Sequence, residues 1–312
     1  MVILLIGGEC SLMNALIDKL HKDKHRVYLI TGKRERTRGY HKVFEKYNFP
    51  YDCDGIKEIF ESTRPDVVLH MGAYDTNYDW SQARKESVRF TSELTNILSA
   101  FCGNKKGRFV YLSSQEVFGK SYPEEVKEEE LVSAKSFKAM AVSQGETTCK
   151  SYENTRGMET AVLRLDHLYG VPKKGKMEDN PCFDMILTAF KTKKIAANSR
   201  NEFSMLFQSD AVEFIARLVT AEHLEHDIYH ISSGNRITQT ELAELVKKNL
   251  GEGCEIHDDT VGTGHRLVLD GRRYKEEFGQ TIFVGYEMGI KKVAQYMKRH
   301  EETFLKTEEY KN

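Results

Sequence analysis

The chain has 312 residues, of which 40% are hydrophobic and 30% charged, enough for one large or two smaller domains with sizeable cores. Its formal net charge of −1 at pH 7 gives no electrostatic reason to expect a nucleic acid or a membrane surface as a partner. The apolar opening Met1–Ile6 is too short for a signal or transmembrane segment and fits a buried strand.

Six cysteines are scattered along the chain, and no two of them form a Cys-x-x-Cys pair. This spacing suggests neither a zinc ribbon nor a disulfide framework, so no metal site is expected. Reduced thiols in a cytoplasmic protein are the simplest interpretation.

Strand and helix patterns alternate through the first half of the chain. The continuous apolar run Val2–Ile6 is typical of a parallel strand that is buried on both faces. Leu12–His21 has apolar residues at helical spacing. Further strands are expected at Arg26–Thr31, Asp66–Met71, Arg108–Ser113 and Thr160–Leu165, and further helices at Ile56–Ser62, Gln82–Cys102 and 136–155. The alternation predicts an α/β fold with a doubly wound parallel sheet and right-handed crossovers.

The pattern changes beyond Arg164. Residues 172–206 are expected to be loop-rich, with one helix around Phe183–Thr192. The remaining predicted elements are a helix at Asp210–Ala221 capped by Ser209 or Asp210, a strand at Ile228–Ile231, and helices at Thr240–Leu250 and Gly289–His300. The charged tail Glu301–Asn312 is expected to fray or to lead towards a further domain.

The first predicted strand runs into a turn of the kind that holds a dinucleotide. In such turns one glycine makes the bend, a second lets the backbone approach the pyrophosphate, and a third lets the helix pack on the strand. At the spacing Gly-x-x-Gly-x-x-Gly this chain has Gly7, Cys10 and Met13, with Gly8 as an additional glycine. Two interpretations stay open: a dinucleotide site built on Gly7, Gly8 and Cys10, or a turn that keeps the fold without holding a dinucleotide.

Basic residues follow the second predicted strand, where an acidic residue would accept the hydroxyls of the adenosine ribose. Lys33 and Arg34 instead favour a phosphate by their charge. If a dinucleotide binds, NADP and NAD are therefore both open. The alternative for each of these charges is a solvated loop.

Motifs spread along the chain resemble those of the extended short-chain dehydrogenase/reductase family, which includes sugar-nucleotide epimerases and dehydratases. Leu163-Arg-Leu-Asp-His-Leu-Tyr-Gly-Val-Pro172 is similar to the family's Arg-x-x-Asn-x-Tyr-Gly-Pro, and Glu241-Leu-Ala-Glu-Leu-Val246 to its Glu-Leu-Ala-Glu-Leu-Val. The other matching segments are Pro65–Ala73, Phe109–Gly119, Ser209–Val212, Tyr229–Gly234 and Arg266–Gly279.

The resemblance implies a Rossmann-like domain that binds NAD or NADP and a smaller C-terminal α/β domain that holds a nucleotide or nucleotide-sugar. The first is expected at residues 1–165, with 207–231 returning to it, and the second at 166–206 and 232–312. By the same resemblance Met71, Gly72 and Ala73 line the cofactor ribose. Homodimers built on the helices at 82–102 and 136–155 are common in the family.

The family's catalytic pair is a Tyr and a Lys four residues apart on the helix that follows the Phe109–Gly119 motif. When Gly145-Glu146 is matched to the family's Gly-Glu, these positions hold Lys138 and Val142, and Ser114 keeps the Ser/Thr position. A lysine with an ordinary pKa of roughly 10.4 is protonated at neutral pH and is a poor proton acceptor. The substitution predicts that the family's hydride chemistry is lost.

Other residues of the same crevice could support different chemistry. Ser113-Ser-Gln-Glu116 resembles the Thr-Asp-Glu of sugar-nucleotide 4,6-dehydratases, so Glu116 is a candidate acid or base, with Lys138 as a candidate partner. His167 stands where the family has an Asn near the substrate, and Arg266 matches an Arg that meets a nucleotide diphosphate. Each has a structural alternative, and His70 is interpreted as structural.

Three hypotheses follow. The first is a family member without the Tyr–Lys pair that keeps a nucleotide or nucleotide-sugar crevice for binding, regulation or scaffolding. The second is an active epimerase, dehydratase or reductase with substituted catalytic residues. The third is an interaction protein with an empty crevice.

Overall fold

The computed structural model describes residues 1–32, 42–47, 51, 54–103, 107–172, 180–251, 253–258, 264–279 and 282–309. The strands are β1 Val2–Ile6, β2 Arg26–Ile30, β3 Glu45–Tyr47, β4 Val67–His70, β5 Arg108–Ser114, β6 Glu159–Leu165, β7 His167–Tyr169, β8 Lys194–Ala197, β9 Glu202–Phe207, β10 Ile228–Ile231, β11 Arg236–Thr238, β12 Glu255–Asp258 and β13 Arg266–Leu267. The α-helices are α1 Ser11–Lys22, α2 Gly55–Thr63, α3 Ala83–Phe101, α4 Phe137–Arg156, α5 Pro181–Thr192, α6 Gln208–Val219, α7 Gln239–Leu250, α8 Arg272–Phe278, α9 Tyr286–Arg299 and α10 Glu301–Glu309.

Seven strands of the described residues form one parallel sheet in the order β10-β6-β5-β4-β1-β2-β3. In β1 the apolar run is buried from Ile3 to Ile6, and β4 and β5 are buried along their whole length. Such strands are buried because helices cover both faces of a parallel sheet. The predicted α/β fold with a doubly wound parallel sheet is confirmed.

The chain order reverses between β1 and β4. From β1 it continues outward through β2 and β3, and on the other side through β4, β5 and β6. Helices α1 and α6 pack against each other, while α2, α3 and α4 form a second packed group. Ligands of open parallel sheets bind in the crevice beyond the carboxyl ends of the strands at such a reversal. The residues that follow β1, β4, β5 and β6 are therefore the candidates for a ligand site.

A second hydrophobic core forms around helices α5, α7 and α9. Strand β9 pairs with β7, β11 and β13, and β8 pairs with β12. The members of this core come from residues 169–207, 237–246 and 290–297. The division of the chain into a domain of residues 1–165 with 207–231 and a domain of 166–206 with 232–312 stays a prediction.

Two local predictions from the sequence are wrong, and the expected fraying of the tail is wrong for residues 301–309. Strand β8 and most of strand β9 lie in the segment 172–206, where the polar and charged residues Lys194, Glu202 and Ser204 concealed them. Helix α6 begins after Phe207 without a side-chain cap, because the Asp210 carboxylate instead accepts the Val284 N–H over 2.8 Å. The tail forms α10, whose Phe304 packs edge-on against Phe183 at 6.1 Å.

In the described part of the chain, every helix falls short of the combined length and apolar character that crossing a membrane requires.

Candidate functional site

The carboxyl end of β5 brings Ser114 and Glu116 to the edge of the large sheet. The Ser114 hydroxyl accepts the Glu116 backbone N–H over 3.3 Å, which begins a 3-10 turn at Gln115–Val117. Ser114 is buried and Glu116 is exposed. The turn thus leaves the carboxylate of Glu116 beyond the strand, where it faces the next element of the chain.

Helix α4 supplies the second side of the site. The Ser136 hydroxyl caps the helix by accepting the Ala139 N–H over 3.0 Å, and Lys138 lies in the first turn. Its Nζ is 3.5 Å from Glu116 Oε2. Val142, one turn further along, is fully buried. Positions 138 and 142 of α4 therefore place an ammonium group at the cleft and an apolar side chain in the core.

His167 closes the site from β7. Burial lowers the pKa of its imidazole to about 4, and the Glu116 carboxylate opposes that shift. At neutral pH the ring is consequently neutral, with one nitrogen able to donate and the other to accept a hydrogen bond.

These side chains share a cleft of about 450 Å³ at the carboxyl ends of the strands. It is lined by Gln115, Glu116, Phe118, Lys135, Ser136, Lys138, Ala139, His167, His265 and Leu267. A small cavity of about 20 Å³ adjoins it and adds Ser114, Tyr74 and Asp166 to the lining. Ser114, Glu116, Lys138 and His167, chosen from the sequence, thus lie together.

Sequence reasoning missed three residues of this cleft. Gln115 is buried, and within the described residues neither its amide nitrogen nor its amide oxygen has a hydrogen-bond partner. Tyr74 is a buried phenol from the loop after β4, and His265 precedes β13. Only the strand alternation around Arg266 could have indicated His265, because neighbours on a strand face opposite ways.

Arg266 lies outside this set of lining residues. Its Nε is 2.9 Å from the Glu202 carboxylate on β9, while His265 and Leu267 on either side face the cleft. Its assignment to a nucleotide diphosphate stays a prediction from the sequence.

The residues predicted to hold a dinucleotide lie at the reversal between β1 and β4. Gly7, Gly8 and Cys10 are all buried. The Gly8 N–H donates to the Asp75 carboxylate over 2.7 Å, and the Met13 N–H donates to Cys10 Sγ over 3.4 Å. These two N–H groups therefore already have acceptors within the chain.

The loop after β4 packs directly on this turn. A methyl group added at Gly8 would come within 2.9 Å of the Asn77 backbone nitrogen, and the Thr76 hydroxyl donates to the Glu9 carbonyl over 3.1 Å. Asp75 also accepts the Tyr51 hydroxyl over 2.9 Å and the Asn77 N–H over 2.9 Å. Burial raises the pKa of the Asp75 carboxyl, although these hydrogen bonds oppose the shift.

Met71, Gly72 and Ala73 follow β4 as expected and are buried. The Gly72 N–H donates to His70 Nδ1 over 3.0 Å, and burial lowers the pKa of His70 to about 3. Lys33 and Arg34 lie outside the described residues.

A diphosphate binds at a helix N-terminus through backbone N–H groups, and a carboxylate nearby repels it. Helix α1 begins at Ser11, and the buried Asp75 carboxylate lies at the turn just before it, bonded to the Gly8 N–H. In this arrangement the residues present do not fit the diphosphate of a dinucleotide.

Comparison with known proteins gives a consistent family assignment. Residues 3–232 match the model of the NAD dependent epimerase/dehydratase family. The dTDP-glucose 4,6-dehydratase of Streptomyces niveus is 27% identical over 239 residues, which are 75% of this chain and 70% of that protein.

Solved structures agree with the fold. The UDP-glucose 4-epimerase of Thermotoga maritima with UDP-glucose has a TM-score of 0.80 at 18% identity, over 96% of this chain and 100% of that one. The UDP-glucuronic acid 4-epimerase of Bacillus cereus, in complex with UDP-glucuronic acid and NAD, has a TM-score of 0.79 at 16% identity, over 96% and 99% of the two chains. The expected dependence of the family on NAD agrees with both the family model and this complex.

Proposed function

This chain belongs to the NAD dependent epimerase/dehydratase family, and we propose that it is a cytoplasmic nucleotide-sugar-binding member that has lost the family's Tyr–Lys hydride chemistry. It keeps the cleft around Glu116, Lys138 and His167 for binding, with a regulatory or scaffolding role. Binding of the nucleotide-sugar in this cleft requires no dinucleotide.

The proposal rests on the two side chains, Lys138 and Val142, that α4 has at the positions matched to the family's Tyr and Lys. Hydride transfer in the family needs a phenol to accept a hydroxyl proton and an ammonium group one turn away to favour its ionised form. Val142 is fully buried and offers no charge. Lys138 lies 3.5 Å from the Glu116 carboxylate, so its ammonium group is positioned to bind an anion or a hydroxyl rather than to accept a proton.

The cleft itself supports a polar ligand. Glu116 and the neutral His167 offer acceptors for sugar hydroxyls, and Lys135 and Lys138 offer positive charge for a phosphate. The partnerless amide of buried Gln115 borders the same space. Buried polar groups are nearly always hydrogen-bonded in the functional state, which favours a ligand at this position. Two solved structures with the same fold contain UDP-glucose and UDP-glucuronic acid.

One observation favours the alternative, an active enzyme with substituted residues. Tyr74 lines the small cavity together with Ser114 and Lys138, so a phenol and an ammonium group border the same space although they come from different elements. If this pair worked as acid and base, Tyr74→Phe would abolish turnover of a nucleotide-sugar.

The test begins with the purified chain as it is isolated. Any bound small molecule is released and identified by mass, and UDP-glucose, UDP-glucuronic acid and dTDP-glucose are then titrated by calorimetry. We expect one nucleotide-sugar to bind, with no product detected by chromatography and no absorbance change at the wavelength of reduced nicotinamide. Turnover would establish the alternative, and no binding of any of the three would leave an interaction protein with an empty crevice.

A matched pair of variants tests whether the nucleotide-sugar binds in the cleft. Lys138→Met removes the cleft ammonium group, whereas Lys150→Met removes an ammonium group of the same helix that is paired with Asp227 outside the cleft. Affinity should fall about tenfold or more only in Lys138→Met, as expected for a lost charge-assisted hydrogen bond.

We further propose a homodimer through α3 and α4. The two helices pack side by side, and Val88 on α3 and Met140 on α4 are exposed, Val88 to 70%. Exposed apolar side chains on adjacent helices are typical of an interface.

A further inference from the structure

We infer that the crevice between β1 and β4, in which dinucleotide-binding α/β proteins hold the diphosphate, is closed in this chain by its own side chains. The Asp75 carboxylate takes the place of a phosphate. This inference concerns a different site from the nucleotide-sugar cleft and does not depend on the proposed function.

Gly8 makes the first contact that closes the crevice. Its N–H points from the turn after β1 to Asp75 Oδ1 at 2.7 Å, and the two residues are 67 positions apart in sequence. A carboxylate oxygen accepts from a backbone N–H in the same way as a phosphate oxygen does. The chain therefore supplies its own anion at this turn.

A network of hydrogen bonds holds this carboxylate in place. Tyr51, from the segment after β3, donates its hydroxyl to Asp75. Asn77 donates its side-chain amide to the Thr31 carbonyl over 2.7 Å and to the Tyr51 hydroxyl over 2.8 Å. The residues that follow β2 and β4 are thus connected across the end of β1. The side chains in this network are all buried: Thr31, Tyr51, Asp75 and Asn77.

Two further hydrogen bonds cover the other side of the turn. The Ser11 hydroxyl donates to the Gln208 amide oxygen over 3.0 Å, and the Gln208 amide nitrogen donates to the Ser11 carbonyl over 3.2 Å. Gln208 opens α6, so a distant helix covers the first residue of α1. Met13, at the third glycine position, also reaches within 3.1 Å of a methyl group added at Gly7.

A dinucleotide would have to displace this arrangement. Its diphosphate would meet a buried carboxylate of like charge, and the hydrogen bonds of Tyr51, Asn77 and Gln208 would be broken before new ones form. Like charges at close range repel strongly where water is excluded. The chain should therefore bind NAD and NADP far more weakly than a member with an open turn.

The experiment compares three forms of the full chain. NAD, NADP and ADP-ribose are titrated by calorimetry into the unmodified protein, into Asp75→Ser and into Asp66→Ser. Serine at position 75 is too short to reach Gly8 yet can keep the turn that bonds the Asn77 N–H. Asp66 is the matched control, because its carboxylate also accepts a backbone N–H, that of Val2 over 2.7 Å, at the opposite end of β1.

We expect no binding to the unmodified chain or to Asp66→Ser up to about 1 mM ligand, the upper end of ordinary substrate affinities, and at least tenfold tighter binding by Asp75→Ser. Binding to the unmodified chain in the micromolar range would overturn the inference. So would an Asp75→Ser protein that is folded by circular dichroism and still binds none of the three ligands.

A second measurement needs no variant. Amide hydrogen exchange at Gly7, Gly8 and Met13 of the unmodified chain should be as slow as in the interior of β1, because these N–H groups donate to the Ile30 carbonyl, the Asp75 carboxylate and the Cys10 sulfur. Fast exchange there contradicts the closed crevice. Nucleotide-sugar titrations in the same preparations test the proposed function separately. If no nucleotide-sugar binds, the inference of a closed crevice is unaffected. If a dinucleotide binds without turnover, the inference fails and the proposed function is unaffected.

Discussion

The carboxylate of Glu146 on α4 accepts two hydrogen bonds from the Arg164 guanidinium on β6, one of them over 2.7 Å. Both side chains are more than nine-tenths buried, and Ser113 donates its hydroxyl to the same carboxylate over 2.5 Å. Gly145, next to Glu146, lies so close to Tyr111 of β5 that an added methyl group would be 2.7 Å from the ring carbon that carries the hydroxyl. Helix α4 is therefore fixed on the sheet in one register, with Lys138 at the cleft and Val142 in the core.

The first prediction concerns this ion pair. Arg164→Met should lower the free energy of unfolding by about 3–5 kcal/mol, because it leaves the Glu146 carboxylate buried without its cation. The double variant Arg164→Met with Glu146→Gln should recover part of that loss, since no charge remains. Urea unfolding monitored by circular dichroism measures both.

The exposed pair of Lys150 and Asp227 is the control for this prediction. Lys150→Met should cost no more than about 1 kcal/mol, the range of surface pairs. An equal cost at the two sites would mean that Glu146 is not held as described.

The residues that could be predicted from the sequence are those that follow strand ends. Ser114 ends β5 and Glu116 follows it, while His167 comes two residues after the end of β6; parallel strands bring their carboxyl ends to one edge. Lys138 joins them because α4 returns along β5. These four positions were chosen because their motifs resemble those of the family, and strand order explains why they meet.

Asp75, Gln208 and Tyr74 could not be predicted in this way. The bond from Gly8 to Asp75 spans 67 residues and that from Ser11 to Gln208 spans 197, and neither depends on any periodicity. The path of the loop after β4 decides where Asp75 and Tyr74 point, and a loop path follows from packing rather than from propensity.

The second prediction concerns pH. His70 is neutral in the folded chain, because burial lowers its pKa to about 3, whereas in the unfolded chain its pKa is near 6.5. The unfolded state thus binds the extra proton first, and stability is lost as the pH falls from about 6.5 towards 3. Asp166, whose pKa burial raises to about 6, acts in the opposite direction but equally in every variant.

His70→Asn keeps an acceptor for the Gly72 N–H and removes the titrating ring. Its free energy of unfolding should be lower at pH 7, because the ring contacts with Phe109 and Tyr111 are lost. Between pH 6.5 and 4.5, however, it should fall by about 2 kcal/mol less than that of the unmodified chain. His223→Asn, at a position 90% exposed, should follow the unmodified chain; a parallel curve for His70→Asn would refute the assignment.

The third prediction tests the proposed homodimer. Val88 is an apolar side chain in the middle of α3 that is 70% exposed, and burying it against a second copy would remove its apolar surface from water. Val88→Glu should therefore shift the chain towards the monomer in sedimentation velocity at a fixed concentration. Leu131→Glu, at a position 80% exposed outside the two helices, is the control. A monomeric unmodified chain would contradict the proposal.

The fourth prediction uses cysteine reactivity to follow the closed crevice. Cys10 is 3% exposed and Cys149 and Cys182 are fully buried, whereas Cys102 and Cys254 are partly exposed. Burial also raises the pKa of the Cys182 thiol to about 12, and thiolate is the reactive form.

Alkylation with iodoacetamide, followed by peptide mass spectrometry, should therefore modify Cys102 and Cys254 well before Cys10. In Asp75→Ser the modification of Cys10 should accelerate several-fold while that of Cys182 stays slow. Equal acceleration at both positions would indicate general loosening of the fold, and an unchanged rate at Cys10 would mean that Asp75 does not control access to the turn.

The last prediction concerns positions 138 and 142, where we propose that the family's Tyr–Lys pair has been lost. Lys138→Tyr should be tolerated, because the Lys138 side chain borders the cleft and keeps 20% of its exposure. Val142→Lys should not be, because Val142 is fully buried. An unpaired ammonium group at that position should cost about 3 kcal/mol or more in urea unfolding. The double variant should consequently show no nucleotide-sugar oxidation with added NAD, even where it remains folded, since the turn at Gly8 stays occupied by Asp75. Oxidoreductase activity in the double variant, followed by absorbance of reduced nicotinamide, would show that the crevice admits a dinucleotide and that only the pair on α4 was missing.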